Sequence, residues 1–169
     1  MKNYKQKILA ISGVKNSGKT TLITKLIPYL KEKGLKVATI KHDGHDFQPD
    51  IEDTDTYKHR KAGAYGVAIF SKSKWMVIKE EAYSDVLELI NQFPEADLIL
   101  LEGFKYSDYP KVEIIRSQIS STPISNPNTV IAYISDMEEL SKDIKQFKLD
   151  EIEELAEYIY NYYIKNRSR

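Results

Sequence analysis

The chain has 169 residues, 41% of them apolar and 30% charged, which suits one compact domain over residues 1–169 and excludes a disordered chain. Basic and acidic residues balance at 25 each, so the basic excess of a nucleic-acid-binding domain is missing, and the absence of cysteine excludes disulfides, thiolate metal sites and cysteine nucleophiles. The polar start (MKNYKQK) leads into an apolar run too short for a signal-peptide core or a membrane span, so the expected location is the cytoplasm.

Lys7–Ser12 (KILAIS) is a short apolar run stopped by Gly13, and it reads as a buried strand followed by a turn. Over Lys19–Lys33, Leu22, Ile23, Leu26, Ile27 and Leu30 recur with helical spacing, Pro28 sits inside the helix, and Gly34 is placed as its C-cap. Lys36–Lys41 is a second strand, which completes a strand–helix–strand unit with a right-handed parallel crossover. A polar loop over His42–Glu52 precedes a helix over Asp53–Ala62. Gly66–Ser71 and Lys74–Lys79 read as a hairpin, and Tyr83–Phe93 as an amphipathic helix stopped by Pro94. Asp97–Leu101 is the most apolar short run and is expected in the middle of the sheet. Lys111–Arg116 and Thr129–Ser135 are further strands, and residues 150–165 a terminal helix. Helices alternating with apolar strands indicate an α/β protein: a three-layer P-loop NTPase fold with a mostly parallel central sheet and a β-hairpin insertion.

The fold assignment rests on Gly13–Thr20 (GVKNSGKT), which fits G-x-x-x-x-G-K-[ST] between an apolar strand and an amphipathic helix. Glycines let successive N–H groups turn inward around a phosphate, and the following helix adds the partial positive charge of its N-terminus. Gly13, Ser17, Gly18, Lys19 and Thr20 are therefore the candidate nucleotide-binding residues of the loop. Lys19 is placed to neutralise the β- and γ-phosphates, and the Thr20 hydroxyl to bind Mg²⁺. Of the two acids bracketing the apolar run at 97–102, Asp97 starts the strand and Glu102 ends it. Ligands bind at the carboxyl ends of such strands, so Glu102 is the candidate magnesium-associated or water-orienting acid.

The loop after the second strand holds His42, His45, Asp46 and Asp50, which either meet the nucleotide or hold a transition metal; Lys41 and His42 are also placed for the terminal phosphate. Arg60 is one of only four arginines, with Arg116, Arg167 and Arg169, and is either a phosphate clamp or a surface residue near a helix end. Gly103, Phe104 and Lys105 follow Glu102 into the cleft. Asp136 ends its strand either as an acceptor for guanine N1 and N2 or as a cap for the next segment.

Five segments in order, GVKNSGKTT (Gly13–Thr21), IKHDGHD (Ile40–Asp46), RKAGA (Arg60–Ala64), DLILLEGFK (Asp97–Lys105) and PKVE (Pro110–Glu113), resemble the MobB family of molybdopterin-guanine dinucleotide biosynthesis adaptor proteins. The resemblance covers about residues 8 to 136 and is far more specific than the phosphate loop alone. It implies a GTP-binding protein with Mg²⁺, weak intrinsic GTP hydrolysis and a homodimer. The partners it implies are the molybdenum cofactor guanylyltransferase and molybdopterin, with this chain assisting the transfer of GMP. It also implies that Gly13, Asn16, Gly18, Lys19, Thr20 and Thr21 form the phosphate loop and that Glu102 is the acid of the E-G-F-K segment. The family often has Pro-Gly-Lys-Asp-Ser before the R-K-A-G-A segment. Here Ile51–Thr56 (IEDTDT) stands there, keeping Asp55 and Thr56 as the acid–hydroxyl pair.

Two other classes compete. A small-molecule kinase normally surrounds the transferred phosphoryl group with arginines, and two of the four here fall in the last three residues. A metal-insertion GTPase would draw on His42, His45 and His59.

Overall fold

The structure is a computed structural model that describes residues 6–43, 47–80 and 85–163. It divides into two compact units, Met1–His42 with Leu87–Arg169, and Asp43–Val86.

The larger unit is built on a six-stranded sheet. Its strands are β1 (Lys7–Ser12), β2 (Val37–Lys41), β5 (Leu98–Glu102), β6 (Lys111–Ile115), β7 (Val130–Ser135) and β8 (Lys145–Lys148), in the order β2-β5-β1-β6-β7-β8. Every neighbouring pair is parallel. A parallel sheet is covered on both faces, which is why β1 and β5 read as unbroken apolar runs: from Ile8 to Ile11 and from Leu98 to Leu101 all side chains are buried. One face carries α1 (Lys19–Glu32) and α4 (Ile152–Tyr163), with Leu9, Ile11, Leu98, Leu100, Val112 and Ile134 packed against the helical stripe Leu22, Ile23, Leu26, Leu30, Leu155 and Ile159. On the opposite face Ile115, Val130 and Tyr133 lie under Met137, Leu140 and Ile144 from the β7–β8 connection.

α1 ends as its sequence requires. Gly34 takes φ +83°, its N–H bonds to the Lys31 carbonyl (2.9 Å), and the Leu35 N–H reaches back to Leu30 (3.2 Å), satisfying carbonyls the helix leaves open. Two tyrosines fix α4 to the sheet: Tyr158 donates to the Ile131 carbonyl (3.0 Å) and Tyr163 to the Ile8 carbonyl (2.9 Å). Tyr163→Phe should cost about 1 kcal/mol, the usual worth of one intramolecular hydrogen bond, and lower the unfolding midpoint by about 3 °C by calorimetry.

The strands and helices fall within a few residues of the sequence reading, except for a 3-10 turn at Pro127–Thr129 and one strand. β8 (KQFK) was not anticipated, because it buries a single apolar side chain, Phe147. It is an edge strand with lysine at each end, a composition that discourages further pairing and also hides the strand from pattern analysis. The helix expected from Tyr83 is formed as α3 (Val86–Ile90), Tyr83 itself lying outside the described residues; residues 164 and 165 of the expected terminal helix lie outside them too.

The smaller unit holds α2 (Asp55–Lys61) and an antiparallel hairpin of β3 (Gly66–Phe70) and β4 (Trp75–Lys79). The Thr54 hydroxyl caps α2 by accepting from the Tyr57 N–H (3.3 Å). No described helix is long and apolar enough to cross a membrane.

Candidate functional site

The register of the sheet brings Ile11, Lys41 and Glu102 side by side at the carboxyl ends of β1, β2 and β5, and the turn after β1 opens at the same edge. In that turn Gly13 has φ +140°, Asn16 +64° and Gly18 +100°, all in the left-handed half of backbone space. The loop doubles back tightly: Ser17 N–H reaches the Val14 carbonyl (3.3 Å), and Leu22 N–H the Gly18 carbonyl (2.9 Å) as α1 begins. Gly18 is the α1 N-cap and offers no side-chain acceptor, so the open N–H groups of the first turn remain available to an anion. The Ser17 hydroxyl is buried and finds no hydrogen-bond partner among the described residues.

Lys19 folds back over the loop, its ammonium donating to the Val14 carbonyl (2.8 Å) and the Gly13 carbonyl (3.2 Å). Burial lowers its pKa below the usual lysine value; Glu102 opposes that shift, while Lys105 and Lys41 add to it. Three ammonium groups and one carboxylate therefore act on a single small volume, a field suited to a polyphosphate. Thr20 donates its hydroxyl to Glu102 Oε1 at 2.6 Å. A hydroxyl and a carboxylate oxygen held side by side are the hard donors that Mg²⁺ takes from a protein while phosphates and water supply the rest, so Thr20 and Glu102 fit that ion. Asp97 stands at the far end of β5, where its carboxylate accepts from the Lys36 N–H (2.9 Å), leaving Glu102 as the acid at the ligand edge. Thr21 is exposed on the first turn of α1.

Other candidates resolve differently. His42 packs its ring edge-on against Phe104, with centroids 5.9 Å apart. His45 and Asp46 lie outside the described residues, and among the described residues no three potential ligands gather as a metal site. The Asp50 carboxylate is held below its ordinary pKa, first by the Thr56 hydroxyl and then by the Ile51 N–H and the Thr54 hydroxyl, and so braces the entry to α2. Arg60 gives its guanidinium to Glu80, with Nε at 2.8 Å from Oε1, inside the smaller unit. Asp136 accepts from both the N–H (2.7 Å) and the hydroxyl (3.1 Å) of Ser117, a contact back to the turn after β6 that neither reading of the sequence had named.

One connection was not read from the sequence. Ser12, the residue before Gly13, shares a hydrogen bond with Ser125 (2.9 Å), and Glu113 accepts from the N–H groups of Ile124 (2.7 Å) and Ser125 (3.2 Å). The visible signal was a pair of charged residues, Lys111 and Glu113, two apart in an otherwise apolar strand.

The model of the family described as molybdopterin guanine dinucleotide synthesis protein B matches residues 8–136. The chain is 34% identical to the molybdopterin-guanine dinucleotide biosynthesis adapter protein of Escherichia coli, over 90% of each chain. It is 31% identical to that of Haemophilus influenzae, over 92% of this chain and 88% of the relative. The crystal structure of Bacillus subtilis MobB superposes with a TM-score of 0.74 at 26% identity, covering 92% of this chain and 96% of that one.

Proposed function

Because the chain belongs to the molybdopterin guanine dinucleotide synthesis protein B family, we propose that it is a GTP-binding adapter of molybdopterin-guanine dinucleotide biosynthesis. In this reading the chain assists a guanylyltransferase in joining GMP to molybdopterin and hydrolyses GTP only weakly by itself. The observation that carries the nucleotide half of the proposal is the Thr20–Glu102 contact beside the Lys19-lined loop. It sets a hydroxyl and a carboxylate beside the first turn of α1 at the carboxyl edge of a parallel sheet, the donor types that Mg²⁺ and a phosphate would use there.

The residues divide the work. The loop N–H groups from Gly13 to Thr20 would hold the phosphates, and Lys19, now on the Gly13 and Val14 carbonyls, would supply their counter-charge. Thr20 and Glu102 would hold Mg²⁺, which spreads the negative charge of the two terminal phosphates. Glu102 also orients the attacking water. With a single acid and Lys19 as the supporting cation, hydrolysis is slow, as befits a protein whose role is to bind and present.

Isothermal titration of Mg-GTP and Mg-ATP into the purified chain tests this reading. GTP should bind at least about tenfold more tightly than ATP, the worth of one or two additional hydrogen bonds to the base. ATP binding as tight as GTP binding would overturn it. Addition of the guanylyltransferase should give a complex that elutes earlier on size exclusion.

The proposal includes a homodimer, supported by the hairpin. Alternation puts Phe70, Trp75 and Val77 on one face of the β3–β4 ribbon, where they are 85%, 66% and 52% exposed. An apolar two-stranded ribbon is marginal in water unless that face is covered. Sedimentation equilibrium should give twice the chain mass, and Trp75→Glu with Phe70→Glu should shift the dissociation constant upward by about 100-fold or more.

A further inference from the structure

Lys111 and Glu113 of β6 have no part in the nucleotide chemistry above, yet both are buried, Lys111 fully and Glu113 to within 1%. Alternation places them on one face of the strand, with Val112 and Ile114 turned to the other. A charge without access to water persists only where specific partners hold it. Glu113 is held by the Ile124 and Ser125 N–H groups. The Lys111 ammonium donates to the carbonyl of Ser107. Ser107 in turn gives both its N–H (3.0 Å) and its hydroxyl (2.7 Å) to the carbonyl of Phe104.

Phe104 is the unusual residue in this chain of contacts. Its φ is +52°, a left-handed conformation that a bulky aromatic residue adopts only when its surroundings impose it. It follows Gly103, also left-handed at +99°, so the backbone after Glu102 turns sharply twice. The turn sets the Phe104 ring against His42, the Gly103 N–H is tied to the Ile11 carbonyl (2.9 Å) at the end of β1, and Lys105 follows with its ammonium 4.7 Å from the centre of the Tyr106 ring, where its charge acts on Lys19.

We propose that Lys111 is a positioning residue for the terminal phosphate: through Ser107 it keeps Phe104 left-handed, and Phe104 keeps Lys105 at the mouth of the phosphate loop. The inference rests on the GTP-binding reading above. Its consequence is selectivity for nucleoside triphosphate over diphosphate set by a buried side chain that touches neither. Mg-GTP carries about one more negative charge than Mg-GDP, and an additional fixed ammonium group favours the triphosphate.

The test uses the full chain and two readouts. Amide hydrogen exchange by NMR in the nucleotide-free protein reports the strap itself, and the ratio of Mg-GTP to Mg-GDP affinity reports its effect. Lys111→Met should accelerate exchange at the Ser107 amide at least about tenfold and lower the affinity ratio about tenfold, with GDP affinity changed less than about threefold. Ser107→Ala, at a half-buried turn position, guards against failure of the first variant to fold and should move both readouts the same way, by less. Glycine accepts positive φ freely, so adding Phe104→Gly to Lys111→Met should restore much of the ratio, which a purely structural role for Lys111 would not produce. Unchanged Ser107 exchange in both variants overturns the strap, whatever the nucleotide data. Faster exchange with an unchanged ratio overturns the link to the terminal phosphate. A wild-type chain that binds no GTP sinks the proposed function and this link together, while the exchange arm still decides the strap.

Discussion

Lys19→Ala is expected to weaken Mg-GTP binding about 100-fold by calorimetry, equivalent to about 3 kcal/mol, while leaving the protein folded. The asymmetry comes from the position of the ammonium. It lies partly buried, with Glu102 as an opposing carboxylate and the ammonium groups of Lys105 and Lys41 nearby, and it donates to two carbonyls of its own loop. Without nucleotide its charge is therefore a mild burden on the fold, whereas with a triphosphate present it faces the charge it is placed to neutralise. The same depressed pKa fixes a pH dependence. At a pH below its folded value, which lies under the ordinary 10.5, Lys19 is charged in both folded and unfolded chains, so its cost to stability is full there. That cost fades as pH rises through the window between the folded value and 10.5. Nucleotide affinity moves the other way and should fall on the alkaline side at a pH below 10.5. An affinity in Lys19→Ala equal to wild type would remove the phosphate loop from the function.

Gly13→Ala should be the most damaging single methyl group that can be added to this site. Gly13 has φ +140°, and a Cβ there would lie 2.6 Å from the backbone carbonyl of Ile114 and 2.7 Å from the Ser17 hydroxyl. The carbonyl belongs to β6 in the middle of the sheet and cannot yield without disturbing the strand. Backbone strain and overpacking together should cost about 4 kcal/mol and lower the unfolding midpoint by about 10 °C. Nucleotide binding should be lost with it, because the turn that aims the loop N–H groups begins at this residue. The comparison with Gly34→Ala is informative, since Gly34 also has positive φ but a Cβ there would meet nothing within 4 Å. That variant should show the strain alone, about 1 kcal/mol, and bind nucleotide normally. Equal effects of the two substitutions would show that the crowding at Gly13 is not what matters.

The sequence alone was sufficient for the parts of this protein that depend on local pattern. KILAIS, then GVKNSGKT, then an amphipathic stretch folds here as a strand, a tight glycine turn and a helix. The reason is that glycine conformations, helix N-terminal N–H groups and apolar period act over a few residues. The placement of Glu102 and Asp97 at opposite ends of β5 was also legible, because the direction of a parallel strand decides which end faces the loop after β1. Family resemblance added the order of five short segments, which pattern alone could not interpret.

Tertiary structure decided everything that depends on which strands are neighbours. β5 lies between β2 and β1 although 56 residues separate β2 from β5 in the chain, and only that order puts Glu102 against Thr20. Asp136 and Arg60, each open to two readings in the sequence, found partners in Ser117 and Glu80, contacts that no spacing rule could anticipate. β8 was invisible because an edge strand needs only one buried side chain, and its pairing with β7 supplies the rest. The burial of Lys111 and Glu113 was equally hidden. A lysine in a strand is ordinarily a solvated one, and only the loops folded over this face of β6 turn it into a buried charge that must find a carbonyl.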